Sequence, residues 1–218
     1  MMNYSNILSL LPGFIIGLTI HEFSHAYVAT RLGDPTARAM GRLTLNPLAH
    51  LDLFGSLMLI FAGFGWAKPV PVNAGYLHSP RRDMAMIAFA GPVSNVLLAL
   101  LVGFGLRAAY PDGYLAAQSA SPVTAMTIWI AVQAVWINVI LAAFNMIPIP
   151  PLDGSRILAG IVPEHWNHGY EQFERIGPML LLGLVLLANF GGVSIFNRLV
   201  SPIAKPLLAF ILGSWLTI

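Results

Sequence analysis

Residues 7–30 form an apolar run that is long enough to cross a lipid bilayer and contains a single charged residue, Glu22. About 20 apolar residues in a helix span the hydrocarbon core, so the run predicts a membrane-spanning helix. Two histidines, His21 and His25, lie beside that glutamate within the run. Ionisable side chains in lipid are costly and usually functional, so the run also predicts a functional site inside the membrane.

The spacing of these three residues predicts a metal site with a base beside it. Positions four apart lie on one face of a helix, so His21 and His25 can direct two ring nitrogens at one point, with Glu22 next to them. Zinc suits neutral imidazoles and keeps a position for water, whose proton a carboxylate can accept. The pattern is HExxH, in which three of five positions are fixed. A polar cluster that joins helices and a haem site are the alternatives.

The composition extends the membrane argument to the whole chain. Of the 218 residues, 57% are hydrophobic and 9% are charged, and the mean hydropathy is +0.74, whereas soluble domains carry about 25% charged residues. We expect an all-α polytopic membrane protein with about five to six transmembrane helices in a single domain, 1–218. The formal charge of +2 does not indicate nucleic-acid binding. The chain has no cysteine for disulfides or thiolate ligands.

Membrane spans are predicted at about 7–30, 84–109, 123–147, 176–196 and 203–218. The last of these stretches is short and could instead lie along the interface. Arginines at positions 31, 38 and 42 follow the first span, and the positive-inside rule therefore places HEFSH toward the cytoplasm. At about 1.5 Å per residue, the histidines would lie on the order of 10 Å below that surface. We expect a multi-pass protein of a prokaryotic cell membrane.

The segment after the first span, at about 43–78, is predicted to dip into the membrane as a re-entrant or β element. Its apolar part lies between two basic regions, so a single crossing would oppose the positive-inside tendency. Prolines keep 68–73 extended, which predicts an edge strand. Val70 and Val72 in that edge would hold a peptide unwound from its helix. A surface loop without a ligand is the alternative.

A second polar stretch, NMIPIPPLDG at 145–154, ends the third span. Its three prolines cannot continue a helix, so the chain unwinds on the same side of the membrane as HEFSH. Asp153 then comes within reach of His21 and His25 and would complete a three-ligand site with an open position. An Asp-Gly turn at the membrane surface is the alternative. Three other side chains remain open as the third ligand: His50, Asp52 and His78.

Together these motifs resemble those of the site-2 proteases, the zinc intramembrane metalloproteases. HEFSH matches the HExxH of that family, NMIPIPPLDG matches its NxxPxPxLDG element, and GPVSN at 91–95 resembles its GPxxN element. The resemblance covers about residues 15–160. It implies one zinc ion per chain, with His21, His25 and Asp153 as ligands and Glu22 as the general base.

The resemblance also has implications for substrate and size. Asn145, eight residues before Asp153, would contact the substrate or the developing oxyanion. Asn95 of GPVSN is a second candidate for substrate contact, although an asparagine in a membrane span more often serves helix packing. No PDZ or CBS domain fits this length, so a minimal member is expected.

The implied activity is hydrolysis of peptide bonds within or near transmembrane segments of membrane proteins. Such proteins and the lipid bilayer are therefore the expected partners. A membrane zinc transporter or sensor that uses the same ligands is the alternative function, although it gives no reason for a base next to a ligand.

Overall fold

The computed structural model describes residues 4–62, 65–113, 121–190 and 195–213, and within these ranges the chain is helical and has no β-strand. The all-α class is therefore confirmed. The helices of the described ranges are α1 Tyr4–Arg31, α2 Thr36–Ala39, α3 Leu53–Ala62, α4 Pro80–Ala109, α5 Pro122–Asn145, α6 Asp153–Ile161, α7 Asn167–Phe190 and α8 Ile195–Leu212.

Two of these helices, α4 and α5, are long and apolar enough to cross a bilayer, and no other helix of the described residues meets the same test. Their bounds lie close to the predicted spans 84–109 and 123–147. Each begins with a proline in its first turn, where the missing N–H costs no helical hydrogen bond. The first predicted span lies within α1. The total of five to six spans stays a prediction.

Helices α1, α4 and α5 pack against one another and form the centre of the fold, while α6 packs against α4 and α8 packs against α5. Small residues allow the close contact of α1 with α5. A Cβ on Gly13 would lie 2.5 Å from the Cα of Ala134, and a Cβ on Gly17 would overlap the carboxamide of Asn138. Small residues four apart on one helix face let two backbones approach closely.

The segment between α1 and α4 was predicted to be a re-entrant or β element, and among its described residues the β form is wrong, because no strand is present. A helix, α3, occupies its apolar part, and one antiparallel bridge between Leu51 and Ala67 is the only β pairing among the described residues. A helix satisfies its backbone hydrogen bonds internally, so this apolar stretch needs no partner strand. Gly55 of α3 packs against the backbone of Trp66, which brings the returning chain close to the helix. Its position relative to the membrane stays a prediction.

A buried carboxylate ties the two ends of this segment together. Asp34, fully buried after α1, accepts hydrogen bonds from the backbone N–H and the hydroxyl of Thr36 and from the backbone N–H of Asn73. Burial alone would raise the pKa of Asp34, but these hydrogen bonds hold the pKa below its usual value. The carboxylate therefore anchors the chain that leaves α1 to the chain that approaches α4.

Candidate metal centre

Three side chains from two helices converge in the structure. His21 and His25 come from α1, and Asp153 is the first residue of α6. The Oδ2 atom of Asp153 lies 3.1 Å from Nε2 of His21 and 3.4 Å from Nε2 of His25. One ligand atom from each residue lies within 4.8 Å of the other two. The structure thus brings together the three residues that the sequence predicted as ligands.

The donor set fits a zinc ion. Two imidazole nitrogens and a carboxylate oxygen are ligands that zinc prefers, and a three-residue set leaves a further position for water. The Oδ2 atom of Asp153 is buried and has no hydrogen-bond partner among the described residues. An unpaired buried carboxylate is costly, and a cation held among these three atoms would remove that cost.

Helix α4 orients both imidazoles through their second nitrogens. Nδ1 of His21 lies 2.7 Å from Oδ1 of Asn95, and Nδ1 of His25 lies 2.7 Å from the backbone oxygen of Ile87. Oxygen atoms of amides only accept, so each neutral ring carries its hydrogen on Nδ1 and donates it. Each Nε2 then keeps a lone pair directed toward Asp153, as is usual for zinc-binding histidines.

A glycine lets α4 come close enough for these contacts. Ile87, Gly91 and Asn95 are four residues apart and therefore lie on one face of α4. A Cβ on Gly91 would lie 2.5 Å from Cε1 of His21 and 2.6 Å from Cε1 of His25. Any larger residue at position 91 would push the two rings away from α4.

The structure places Asn95, a predicted substrate contact, in the protein interior. The side chain of Asn95 is fully buried, and its polar atoms are bonded to His21, to the backbone of Gly17 and to Asn138. It therefore lies behind a candidate ligand and offers no surface to a substrate. The alternative interpretation of this asparagine, a polar contact between helices, fits its position.

The proline-rich turn before α6 determines where the helix that carries Asp153 begins. Helix α5 ends at Asn145, and the prolines that follow separate it from α6, as the sequence predicted. A Cβ on Gly154 would overlap the backbone oxygens of Met146 and Ile147, so the glycine lets the turn fold tightly over the start of α6. Ser155, the residue after Gly154, is buried.

The far end of α6 is fixed to α4 by an arginine. Arg81 donates hydrogen bonds to the backbone oxygens of Ala159 and Val162. These carbonyl groups belong to the C-terminal turn of α6, where no helical donor follows them. Arg81 therefore holds α6, and with it Asp153, against the helix that also orients the histidines.

Glu22 lies next to His21 on α1 and is 7% exposed. Its carboxylate forms no hydrogen bond to another described residue. Neither carboxylate oxygen is one of the buried atoms that lack a hydrogen-bond partner, so the carboxylate is not completely enclosed. Because Glu22 directly follows His21 in α1, we expect its carboxylate to reach the space beside the three converging atoms. A carboxylate with these properties can accept a proton from a water molecule there.

The other candidates for the third ligand have different roles. His50 is fully buried and donates from Nε2 to the backbone oxygen of Thr44. Asp52 accepts a hydrogen bond from the backbone N–H of Gly55 at the start of α3. His78 is exposed. Among the described residues, the metal-compatible group contains none of these three, so the geometry favours Asp153.

The remaining predicted substrate residues are Asn145, Val70 and Val72, which lie outside the HEFSH motif. Asn145, half-buried at the end of α5, donates to the backbone oxygen of Leu141 in its own helix. Val70 is buried against Ala26 and Ala37, and Val72 packs beside it. Val70 is buried and Val72 is partly buried, and a contact of either side chain with substrate stays a prediction. Pairing through the backbone of 68–73 stays a prediction.

Sequence reasoning missed two residues that support the centre, Asn138 and Arg81. Asn138 lies within a mostly apolar span, and an amide in such a place is itself a signal of a buried polar contact. Arg81 gave no comparable signal, because an arginine before a span also fits the positive-inside rule.

Comparison with known proteins agrees with this geometry. The model of Peptidase family M50 matches residues 9–120 and 108–188. YwhC of Bacillus subtilis, whose name assigns it provisionally to the zinc metalloproteases, is 42% identical over 92% of this chain and 96% of its own length.

Two further relatives carry the same provisional assignment in their names. Rip2 of Mycolicibacterium smegmatis is 33% identical over 72% of this chain and 57% of its own length. MJ0611 of Methanocaldococcus jannaschii is 31% identical over 65% of this chain and 64% of its own length. No solved structure matches the chain.

Proposed function

The chain belongs to peptidase family M50, and from this premise we propose that it is a zinc-dependent endopeptidase that hydrolyses peptide bonds within or near transmembrane segments of membrane proteins. The observation that carries the proposal is the convergence of His21, His25 and Asp153 within 4.8 Å. Glu22, which directly follows His21 in the sequence, supplies the base in this proposal. A base next to a three-ligand zinc site is the arrangement that hydrolysis of a peptide bond requires.

The residues of the chain have separate roles in this reaction. When bound, zinc supplies a Lewis acid that lowers the pKa of water to about 7 and polarises a peptide carbonyl. Glu22 accepts a proton from water at its carboxylate and then delivers it to the leaving amine. His21 and His25 remain neutral donors of an Nε2 lone pair because their Nδ1 hydrogens are bonded to α4. Asn145 contacts the substrate or the developing oxyanion.

The proposal includes a location in the membrane. Helices α1, α4, α5, α7 and α8 cross a prokaryotic cell membrane, in one domain over 1–218. The arginines that follow α1 favour a centre near the cytoplasmic side. A helical substrate hides its carbonyl groups in internal hydrogen bonds, so it must unwind before attack. Because the chain has no cysteine, labelling of single introduced cysteines on the two sides of the membrane tests this orientation.

The replacement Glu22→Gln tests the reaction. It keeps the size of the side chain but removes the base, so we expect cleavage of a spanning reporter segment to fall at least about 100-fold, with one zinc ion per chain still bound. Ser24→Ala is a matched control, because the Ser24 hydroxyl only donates to Ile20 of its own helix. Cleavage retained in Glu22→Gln would contradict the proposal.

The same variant separates the alternative function. A zinc transporter or sensor with these ligands has no need of a base. Zinc flux in proteoliposomes that survives Glu22→Gln, together with no cleavage by the wild type, would establish the transporter in place of the peptidase.

A further inference from the structure

Two fully buried asparagines lie behind His21, on the side away from Asp153. Asn95 of α4 lies between His21 and Asn138 of α5: its Oδ1 is 2.7 Å from Nδ1 of His21, and its Nδ2 is 2.8 Å from Oδ1 of Asn138. Helix α1 supplies two further acceptors. The backbone oxygen of Gly17 is 3.0 Å from Nδ2 of Asn95, and that of Gly13 is 3.2 Å from Nδ2 of Asn138.

Backbone oxygens determine the direction of every hydrogen bond in this chain of contacts. The carbonyl groups of Gly13 and Ala134 can only accept, so Asn138 must direct its NH₂ group toward them and its Oδ1 toward α4. Asn95 must then direct its own NH₂ group toward Asn138 and its Oδ1 toward His21. Neither amide can be reversed without placing two donors or two acceptors in contact.

This direction decides which nitrogen of His21 can bind a metal. An amide oxygen at Nδ1 requires the hydrogen on Nδ1 and leaves the lone pair on Nε2, which faces Asp153. A reversed amide would place an NH₂ group at Nδ1 and move the hydrogen to Nε2. We propose that Asn138 is a positioning residue that selects the metal-binding tautomer of His21 through Asn95. This inference rests on the proposed zinc-peptidase function.

The packing of α1 is adapted to this contact. Gly13, Gly17 and His21 are four residues apart and share one face of α1, and the missing side chain of Gly17 leaves the space that the Asn138 carboxamide occupies. A buried amide pair in a span is costly unless its hydrogen bonds are satisfied, and in this pair both NH₂ groups have acceptors.

We call the hydrogen-bond chain from Asn138 through Asn95 to His21 the relay. A comparison with His25 shows why only one of the two histidine ligands needs it. The acceptor for Nδ1 of His25 is the backbone oxygen of Ile87, which cannot exchange places with a donor. The acceptor for His21 is a side-chain amide, which can rotate by half a turn. Asn138, together with the backbone oxygen of Gly17, supplies the constraint that the backbone alone supplies for His25.

The test compares the zinc affinities of Asn95→Leu, Asn138→Leu and the double variant by competition with a chromogenic chelator in detergent micelles. Loss of a residue bonded to a ligand weakens zinc binding by about 10- to 100-fold, which we expect for Asn95→Leu. Asn138→Leu should weaken it by roughly 3- to 10-fold, because Asn95 keeps the Gly17 acceptor. The double variant should equal Asn95→Leu, since Asn138 acts through Asn95.

Control variants separate positioning from stability. Ser94→Ala on α4 and Thr127→Val on α5 each remove a hydroxyl that is bonded within its own helix, and we expect no change in zinc affinity. Asn138→Asp keeps an oxygen toward Asn95, so its zinc affinity should stay nearer the wild type than that of Asn138→Leu, even if both variants lower the melting temperature equally. Multiplying effects in the double variant would overturn the relay.

A measurement without zinc keeps the two proposals distinguishable. In metal-free Asp153→Ala protein with ¹⁵N-labelled histidine, no carboxylate faces Nε2, so His21 should be a single Nδ1–H tautomer. Adding Asn138→Leu should produce a measurable fraction of the Nε2–H tautomer. A single, unchanged tautomer in that variant would overturn the relay whether or not zinc binds. Failure of the wild type to bind zinc would overturn the proposed function alone.

Discussion

The two halves of the candidate metal centre, the imidazole half of His21 and His25 and the carboxylate half of Asp153, are supported in different ways. Each imidazole is bonded through Nδ1 to α4 and is carried by the 28-residue helix α1. Asp153 is carried by the nine-residue helix α6 after a proline-rich turn. Its Oδ2 has no hydrogen-bond partner among the described residues.

The difference shows how ligands from distant parts of the chain can be positioned before a metal binds. The imidazole half is oriented by side-chain contacts that do not involve a metal. The carboxylate half is placed through its backbone, by the tight turn at Gly154 and by the contact of Arg81 with the end of α6. With both imidazoles neutral, a bound cation would satisfy the Asp153 oxygen, so zinc should stabilise the fold as it completes the centre.

Replacement of a metal ligand should have the largest effect, and it tests whether the two halves of the centre are supported differently. Asp153→Ala and His25→Ala should both abolish zinc binding and cleavage, because each removes one of three ligand atoms. In chelated protein the two variants should differ. His25→Ala loses a buried hydrogen bond to Ile87 and should lower the free energy of unfolding by about 1–3 kcal/mol. Asp153→Ala removes an acceptor that faces the Nε2 lone pairs of two neutral imidazoles and should not lower it.

Unfolding of both variants in mixed micelles with a chelator measures this difference. An equal loss of stability in the two variants would show that Asp153 has a protein partner in the metal-free state, and the contrast between the halves would fail.

The replacement Gly91→Ala tests the imidazole half. Its methyl group would lie about 2.5 Å from Cε1 of His21 and about 2.6 Å from Cε1 of His25. Overpacking of this kind lowers the free energy of unfolding by about 1–3 kcal/mol. Zinc affinity should fall as well, since the rings must move. Gly105→Ala in the same helix is the control, because a Cβ there meets no atom within 4 Å, and it should be neutral or stabilising by up to about 1 kcal/mol.

The replacement Arg81→Met tests the carboxylate half and should have the smallest effect. Loss of the hydrogen bonds to α6 should lower stability by about 1–2 kcal/mol and weaken zinc binding through Asp153. The tautomer of His21 should not change, because Arg81 contacts neither imidazole. Arg82→Met is the control, since Arg82 is exposed beside it. A changed His21 tautomer in Arg81→Met would show that the two halves are not independent.

The helical class and the three converging residues could be predicted because their signals are local. Histidines four apart with a glutamate between them lie on one helix face in any helix, and three prolines end a helix wherever they occur. The apolar stretch of α3 was harder to predict. Its glycines and its basic flanks suggested a re-entrant segment or strands, but a helix closes its own hydrogen bonds without a partner strand.

The sequence by itself determined that charged and imidazole groups would enter an apolar environment and that a proline-broken turn would return a carboxylate to them. Only the tertiary structure decided how these groups are oriented. Asn95 lies 74 positions from His21 and 43 from Asn138, so no local pattern relates them. The direction of a hydrogen bond depends on the acceptors that neighbouring helices present, and those are set only when the helices pack.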